Sequence, residues 1–210
     1  MRISNSVFRR IKLQILRQSN PQQPRIFGVG LSKTATTSLC DALEILGFKS
    51  IHYAPISRIK GSAVHLTWPW WIEDYEAMAD LPVACLYKEL GARFPNAIFV
   101  LTVRNEREWL VSARKHFSLP AYNRAKHQSR FRQSIALDKH MYGSNVFEES
   151  CYLEAFRTHN EAVRRHFAKH PKFHELDICG GDGWNELCKI VDRPIPDSPF
   201  PRSNVRVRGN

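Results

Sequence analysis

No apolar run in the sequence approaches the roughly 18 residues that a transmembrane helix needs, so no membrane-spanning segment is predicted. The first residues also lack the apolar core of a secretory signal. Cysteine is scarce, with five residues and no Cys-x-x-Cys pair, so the spacing predicts neither a disulfide framework nor a zinc site. We therefore expect a cytoplasmic protein whose thiols are reduced.

The charge of the chain is strongly one-sided. It has 31 Lys and Arg against 20 Asp and Glu, which gives a formal net charge of +11. A length of 210 residues with 43% hydrophobic residues suits one compact domain with a sizeable core. An excess of positive charge favours anionic partners: nucleic acid, an acidic membrane surface or a multiply charged small molecule. Composition does not choose among these.

Residues 1–24 are expected to form a basic extension ahead of a domain at 25–210. Within the extension, residues 5–18 carry apolar side chains near helical spacing, with Arg and Lys between them. Two interpretations stay open. The segment is either a helix that makes weak peripheral contact with a membrane surface, or a helix that packs on the domain.

Strands and helices alternate along the chain, which predicts a single α/β domain with a central, mainly parallel sheet flanked by helices. Residues 118–145 are polar and basic, and we expect a long loop or short helices there. The predicted strands are 25–30, 48–53, 97–103 and 173–178. The predicted helices are 36–46, 84–94, 105–117, 147–170 and 182–191, and residues 68–78 are expected to mix loop and helix.

The strongest local feature is the segment 28–39, Gly-Val-Gly-Leu-Ser-Lys-Thr-Ala-Thr-Thr-Ser-Leu, between the first strand and the first helix. A helix N-terminus offers unpaired N–H groups to an anion. Thr36, Thr37 and Ser38 add hydroxyl donors, and Lys33 adds a positive charge. The segment is not a Walker A motif, because Lys33 precedes the threonines. The alternative is a strand–turn–helix junction without a ligand.

Residues 33–39 resemble the 5′-phosphosulfate loop of sulfotransferases that use 3′-phosphoadenylyl sulfate (PAPS). That family has glycine where this chain has Ala35, and we expect alanine to require a negative φ there. The pair Arg104 and Ser112, at the end of strand 97–103 and in the next helix, resembles the family's 3′-phosphate site. The resemblance implies a P-loop-NTPase-like sulfotransferase fold. It also implies a donor loop of Ser32, Lys33, Thr34, Ala35, Thr36, Thr37 and Ser38.

The resemblance extends over residues 25–204. It includes Asp80 and Pro82, which resemble the family's Asp-x-Pro site, and the segments 183–184 and 199–204. Ser38 stands where the drug-conjugating members have a tryptophan against the adenine. Trp184 is a candidate for that stacking, with an equally weighted alternative as a core tryptophan.

The resemblance implies in-line transfer of a sulfuryl group from PAPS to a hydroxyl of a small molecule or glycan, leaving adenosine 3′,5′-bisphosphate (PAP). No metal and no nucleic acid are expected to take part. Lys33 is expected to neutralise the leaving oxygen. The acceptor needs a general base. We favour Asp80, and the other candidates are His52, His65 and Glu89.

Other functions stay open on the sequence alone. A kinase-like P-loop transferase would need the Walker A pattern and a magnesium ligand. A non-catalytic nucleotide- or polyanion-binding protein would use the basic surface and give Lys33 no special role. A sulfotransferase that binds nucleotide but has lost turnover is also consistent with Ala35. An aromatic cluster is either an acceptor pocket or a hydrophobic anchor; its members are Trp68, Trp70, Trp71 and Tyr75.

Overall fold

The computed structural model describes residues 25–118 and 129–203. Seven strands form two sheets within these residues. The strands are β1 (Ile26–Gly28), β2 (Ser50–His52), β3 (Ser57–Lys60), β4 (Ala63–Leu66), β5 (Ala77–Ala79), β6 (Ile98–Thr102) and β7 (Phe173–Leu176). The main sheet is wholly parallel and has the order β2-β5-β1-β6-β7, while β3 and β4 form an antiparallel hairpin. The predicted α/β architecture is confirmed.

Six α-helices and two short 3₁₀ turns accompany the strands in the described residues. The helices are α1 (Thr36–Ile45), α2 (Tyr87–Arg93), α3 (Glu106–His116), α4 (Ser129–Tyr142), α5 (Glu149–Phe167) and α6 (Trp184–Val191), and the turns are Trp70–Asp74 and Ala84–Leu86. No helix among the described residues is long and apolar enough to cross a bilayer. All five cysteines lie in the described part of the chain and are unpaired.

The sheet is buried on both faces because its strands alternate between two cores. Phe27 and Phe99 point to one face, where Phe99 stacks on Phe167 of α5 with ring centroids 4.3 Å apart. Ile26 and Val100 point to the other face, against α1 and α6. Period-two alternation within a strand puts neighbouring side chains on opposite faces. A strand that is buried on both faces has a continuous run of apolar residues in its sequence. This explains why the strand at 97–103 could be predicted from the sequence.

Two expectations about secondary structure were wrong. Residues 68–78 were expected to contain only loop and helix, but Ala77–Ala79 is a strand between β1 and β2 in the sheet. Three residues are too few to show a strand period. Residues 118–145 were expected to be a loop or short helices, but α4 runs unbroken from Ser129 to Tyr142. Its few buried side chains, such as Leu137, give the helix a weak apolar stripe.

The order of the strands creates a cleft at the carboxyl end of β1. From β1 the chain crosses to β2 and returns through β5 on one side, then continues to β6 on the other. Gly28 is in register with Ala79 of β5 and Val100 of β6, so all three strands end at the same edge. Ligands of parallel α/β sheets bind at such a reversal of strand order. The loops that follow β1, β5 and β6 therefore define the candidate site.

Gly30 permits the closest approach between two of these loops. A Cβ atom on this residue would lie 2.0 Å from Oγ1 of Thr102 and 2.4 Å from its carbonyl oxygen. Both positions are well inside van der Waals contact, and the second atom is backbone that cannot rotate away. The turn after β1 can lie against the end of β6 only without a side chain at this position.

We predict that Gly30→Ala lowers the free energy of unfolding by about 1–3 kcal/mol or more, because the added methyl group overlaps Thr102. Chemical denaturation of both proteins measures the loss. Gly91→Ala in α2 is the matched control, since its Cβ would lie 3.2 Å from the nearest atom, a ring carbon of Phe167. Equal losses in the two variants would show that the contact with Thr102 is not tight.

Candidate functional site

The loop after β1 has two residues in the left-handed region of backbone conformation, one on each side of the buried Thr34. Lys33 has φ 75° and Ala35 has φ 67°. Between them, Oγ1 of Thr34 donates to the carbonyl oxygen of Leu31 at 2.7 Å and lies 2.6 Å from Oγ1 of Thr102. The hydroxyl of Thr34 therefore fastens the loop to β6 and does not face the cleft. Its backbone N–H also donates to the carbonyl oxygen of Leu31, at 3.2 Å, so both donors of this residue are used within the loop.

The expectation that Ala35 has a negative φ was wrong. This residue is the N-cap of α1 and lies in the left-handed region. Because Thr34 is held against β6, the backbone adopts a left-handed conformation at Ala35 before it enters α1. Glycine satisfies this geometry without strain, whereas an L-residue loses about 1–2 kcal/mol in the left-handed region. Alanine therefore keeps the glycine geometry of the loop at a cost in stability.

Asp80 is the centre of a buried hydrogen-bond network at the end of β5. Its Oδ1 accepts from Oγ of Ser32 at 2.5 Å and from the backbone N–H of Leu81 at 2.7 Å. Its Oδ2 accepts from Oγ1 of Thr36 at 3.1 Å and lies 2.8 Å from Nε2 of His52. One carboxylate thus joins the loop, the first turn of α1 and the end of β2.

These contacts keep Asp80 ionised. Burial raises the pKa of Asp80, but the hydrogen bond and charge of His52 and the hydrogen bonds from Ser32 and Leu81 together lower it below its usual value. A carboxylate with a lowered pKa is a strong hydrogen-bond acceptor and a weak base. The geometry therefore suits Asp80 to orienting its neighbours better than to removing a proton.

His52 ends β2 at the mouth of the cleft. Its Nε2 faces Asp80 and also lies 3.1 Å from Oγ1 of Thr36 and 3.2 Å from Oγ1 of Thr37. The side chain is 34% exposed, whereas that of Asp80 is 7% exposed. With Nε2 turned to the carboxylate, Nδ1 is the ring nitrogen left for another partner.

Lys33 lies at the tip of the loop in the fields of two opposite charges. Burial lowers the pKa of Lys33, Asp80 raises it and Arg104 lowers it again, and the net shift is downward. The ammonium group is thus partly desolvated next to another cation. An anion placed between Lys33 and Arg104 would relieve this repulsion.

Arg104 follows β6 and reaches back to the loop. Its Nη1 donates to the carbonyl oxygen of Lys33 at 3.2 Å. Its Nε is buried and makes no hydrogen bond to the described part of the chain, and Oε2 of Glu108 is 3.6 Å away. A buried N–H of a cation without a hydrogen bond is unfavourable, so this atom favours an anionic ligand. Ser112 lies on α3 and is partly exposed.

Ser38 and Trp184 are both held by the C-terminal segment. Oγ of Ser38 accepts from the backbone N–H of Ser203 at 3.0 Å. Nε1 of Trp184 donates to the carbonyl oxygen of Ser198 at 2.6 Å, and its ring packs edge-on against Phe200 with centroids 4.8 Å apart. Trp184 also packs against the core formed by α1 and α6. These contacts match the core role for Trp184 better than an open stacking surface.

The remaining candidates lie away from this centre or outside the described residues. His65 is in the β3–β4 hairpin opposite Arg58, and Glu89 is exposed on α2. Trp68 packs on Phe94 with centroids 4.9 Å apart and donates to Glu73 at 2.7 Å, which matches the anchor interpretation of the aromatic cluster. The expected helix at 5–18, the extension 1–24 and residues 119–128 of the basic region lie outside the described residues.

Sequence reasoning missed two side chains that contact the loop, Trp109 and His159. Nε1 of buried Trp109 donates to the carbonyl oxygen of Ser32 at 2.9 Å. Nε2 of buried His159 contacts the carbonyl oxygen of Val29 at 2.8 Å. Trp109 and His159 are distant in sequence from the loop, so no local pattern marks them. The pKa of His116, at the end of α3, is lowered by partial burial and by the charge of Lys33, while Asp80 opposes the shift.

The arrangement has a counterpart among known proteins. A family model described as a sulfotransferase domain matches residues 25–208. The chain belongs to this sulfotransferase family. It is also similar to a protein named "Ava biosynthesis cluster protein M" from Aspergillus versicolor, with 26% identity over 211 residues that cover 84% of this chain and 79% of that protein. Among the described residues, no group of three or more His, Cys, Asp and Glu side chains is arranged to hold a metal ion.

We predict that Ala35→Gly raises the free energy of unfolding by about 0.5–1 kcal/mol, because relief of the left-handed strain exceeds the added entropy of the unfolded chain. Denaturant titration measures the change. Ala92→Gly, the same substitution at an exposed position of α2, should instead lose up to about 1 kcal/mol. Destabilisation by both substitutions would contradict the assignment of strain to Ala35.

Proposed function

We propose that this member of the sulfotransferase family transfers a sulfuryl group from PAPS to a hydroxyl acceptor and releases PAP. One observation carries the proposal: two separate anion-binding features, the loop after β1 and Arg104 after β6, meet through the hydrogen bond from Arg104 to the carbonyl oxygen of Lys33. A donor with phosphate groups at both its 5′ and 3′ ends needs two such features side by side. The family match supports the same donor.

The residues present fit this donor. Bound PAPS would supply the activated sulfuryl group. The N–H groups at the start of α1 lack intrahelical partners and suit the 5′ phosphate, helped by the helix dipole. Nε of Arg104, buried without a hydrogen bond, suits the 3′ phosphate, and Ser112 lies on the next helix to add a hydroxyl.

The hydroxyls in the loop divide into two sets. Ser32 and Thr36 donate to Asp80, so their protons are not available to the donor. Thr34 donates to Leu31. Of the loop threonines, Thr37 is the one whose side chain is partly exposed, and its hydroxyl lies beside Nε2 of His52. Phosphate binding by the loop therefore rests mainly on backbone N–H groups, Lys33 and Thr37.

Lys33 stabilises the charge that develops during transfer. When the bond between sulfur and the 5′-phosphate oxygen breaks, its electron pair stays on that oxygen, which leaves as part of PAP. A cation in a partly desolvated site stabilises this charge more strongly than one in water. The lowered pKa of Lys33, caused chiefly by burial, reflects such a site.

His52 is the general base in this proposal, and Asp80 is the residue that positions it. Nε2–H of His52 donates to Asp80, which leaves the lone pair of Nδ1 to accept the proton of the acceptor hydroxyl. The acceptor oxygen forms its bond to sulfur as that proton moves to Nδ1. The ionised carboxylate then stabilises the resulting imidazolium. This reverses the preference for Asp80 that we drew from the sequence.

We predict that the protein binds PAP and that Arg104→Ala weakens this binding by about tenfold or more, because a charge-assisted contact to phosphate is lost. Calorimetric titration with PAP measures both affinities. Arg165→Ala is the control, since this arginine is 73% exposed and lies 3.9 Å from Glu161 on α5. Magnesium should change neither affinity.

The same titration separates the competing functions. Binding of ATP with magnesium, without binding of PAP, would overturn the proposal in favour of a kinase-like transferase. Binding of neither nucleotide, with salt-dependent binding of a polyanion, would favour the polyanion-binding protein.

We predict that His52→Gln slows transfer from PAPS to phenol by about 100-fold or more but slows transfer to 4-nitrophenol far less. At mildly alkaline pH 4-nitrophenol is largely ionised and needs no base, whereas phenol must lose its proton in the reaction. Formation of PAP, followed chromatographically, gives both rates. Asp80→Asn should show the same selectivity in weaker form. An equal loss of rate with both acceptors would show that His52 supports the structure of the site and does not act as the base.

A further inference from the structure

The C-terminal segment 198–203 forms a strap across the first turn of α1. Its start is fixed by Trp184, which donates to the carbonyl oxygen of Ser198 and packs against Phe200. Its end is fixed by Ser203, whose N–H donates to Oγ of Ser38 at 3.0 Å and whose hydroxyl donates to Asp41. Anchored at both ends, the strap has a defined course beside the donor loop.

Arg202 lies on this strap one residue before the contact with Ser38. Its side chain is exposed, although its neighbours Pro201 and Ser203 are partly buried. Among the described residues, no carboxylate lies within 4.0 Å of its guanidinium to form an ion pair. A cation that has no ion-pair partner among the described residues, carried by a fixed segment at the edge of the proposed anion site, is available to a ligand.

The charges of three cations act on the region that follows β7. Cys179 follows β7, and its pKa is raised chiefly by burial, while the charges of Arg104 and Arg202 oppose the rise. The charge of Cys179 in turn acts on Lys33. Cys179 thus lies in the fields of cations from the loop after β1, the loop after β6 and the strap. The two arginines approach it from different parts of the chain.

We propose that Arg202 is a second arginine of the 3′-phosphate site and that the strap holds it there. Residues 179–183, which follow β7, contain no basic side chain that could bind this phosphate in its place. Arg104 would bind the phosphate from the end of β6, and Arg202 would cover it from the strap. This inference rests on the proposed function, since it assumes that a 3′-phosphorylated nucleotide occupies the site.

The strap also explains why Ser38 is a serine. Its hydroxyl accepts from the backbone of Ser203 and so holds the strap against the N-terminal turn of α1. A bulky aromatic ring at this position would occupy the space through which the strap passes. The position where drug-conjugating relatives place an aromatic ring is used here to bring Arg202 to the site.

The test compares two nucleotides that differ only in the 3′ phosphate. Calorimetry with PAP and with adenosine 5′-monophosphate (AMP) is done on the full chain and on Arg202→Ala, with Arg165→Ala as a control for the lost charge. We expect Arg202→Ala to weaken PAP binding about tenfold or more and to leave AMP binding within about twofold. Arg202→Lys should recover part of the affinity for PAP. Thermal unfolding of each variant checks that the strap remains in place.

Each failure has a distinct signature. If the unmodified protein binds PAP no more tightly than AMP, there is no 3′-phosphate site and the proposed function itself fails. If the unmodified protein prefers PAP and Arg104→Ala removes the preference, but Arg202→Ala does not, only the role of Arg202 is overturned. If Arg202→Ala weakens PAP and AMP equally, Arg202 acts on the 5′ side or through its general field, which also overturns the inference.

Discussion

The buried carboxylate of Asp80 is the interaction on which the rest of the site depends. It accepts from Ser32 and Thr36, so one group holds both the donor loop and the first turn of α1. It also orients His52 at 2.8 Å. Removing one partner from such a network leaves other buried polar groups unsatisfied, which costs more than a single hydrogen bond is worth. The donor loop and the proposed base are therefore coupled and would be disturbed together.

Contacts from several elements keep the loop rigid in its unusual conformation. The hydroxyl of Thr34 is hydrogen-bonded to that of Thr102 in β6. Trp109 of α3 donates to the carbonyl oxygen of Ser32, and His159 of α5 contacts that of Val29. These partners leave the loop little freedom to relax when a side chain changes. An alanine can therefore persist at a left-handed position, because the surrounding contacts determine the backbone. Rigidity also lowers the entropic cost of placing several N–H groups around one anion.

The parts of the site that could be predicted from the sequence are those encoded locally. The donor loop combines a strand, a lysine, threonines and a helix within a dozen residues, and Arg104 follows the most apolar strand. The strand Ala77–Ala79 was missed because three residues carry no period. The positioning role now proposed for Asp80 had no local signal, because its partners come from three segments. The strap was unpredictable for the same reason, since Ser38 and Ser203 meet only in the folded chain.

A carboxylate directly behind the proposed anion-binding loop would repel an anion, but its hydrogen bonds resolve the conflict. The lowered pKa of Asp80 shows that its neighbours, despite the effect of burial, stabilise the negative charge in the folded protein. The hydroxyls of Ser32 and Thr36 donate to that carboxylate, so their dipoles partly screen its charge. The remaining negative charge of Asp80 attracts the ammonium group of Lys33 at the loop tip. It raises the pKa of Lys33 against the effect of burial and so favours the charged form. The acidic residue thereby sustains the positive charge that an anionic donor requires.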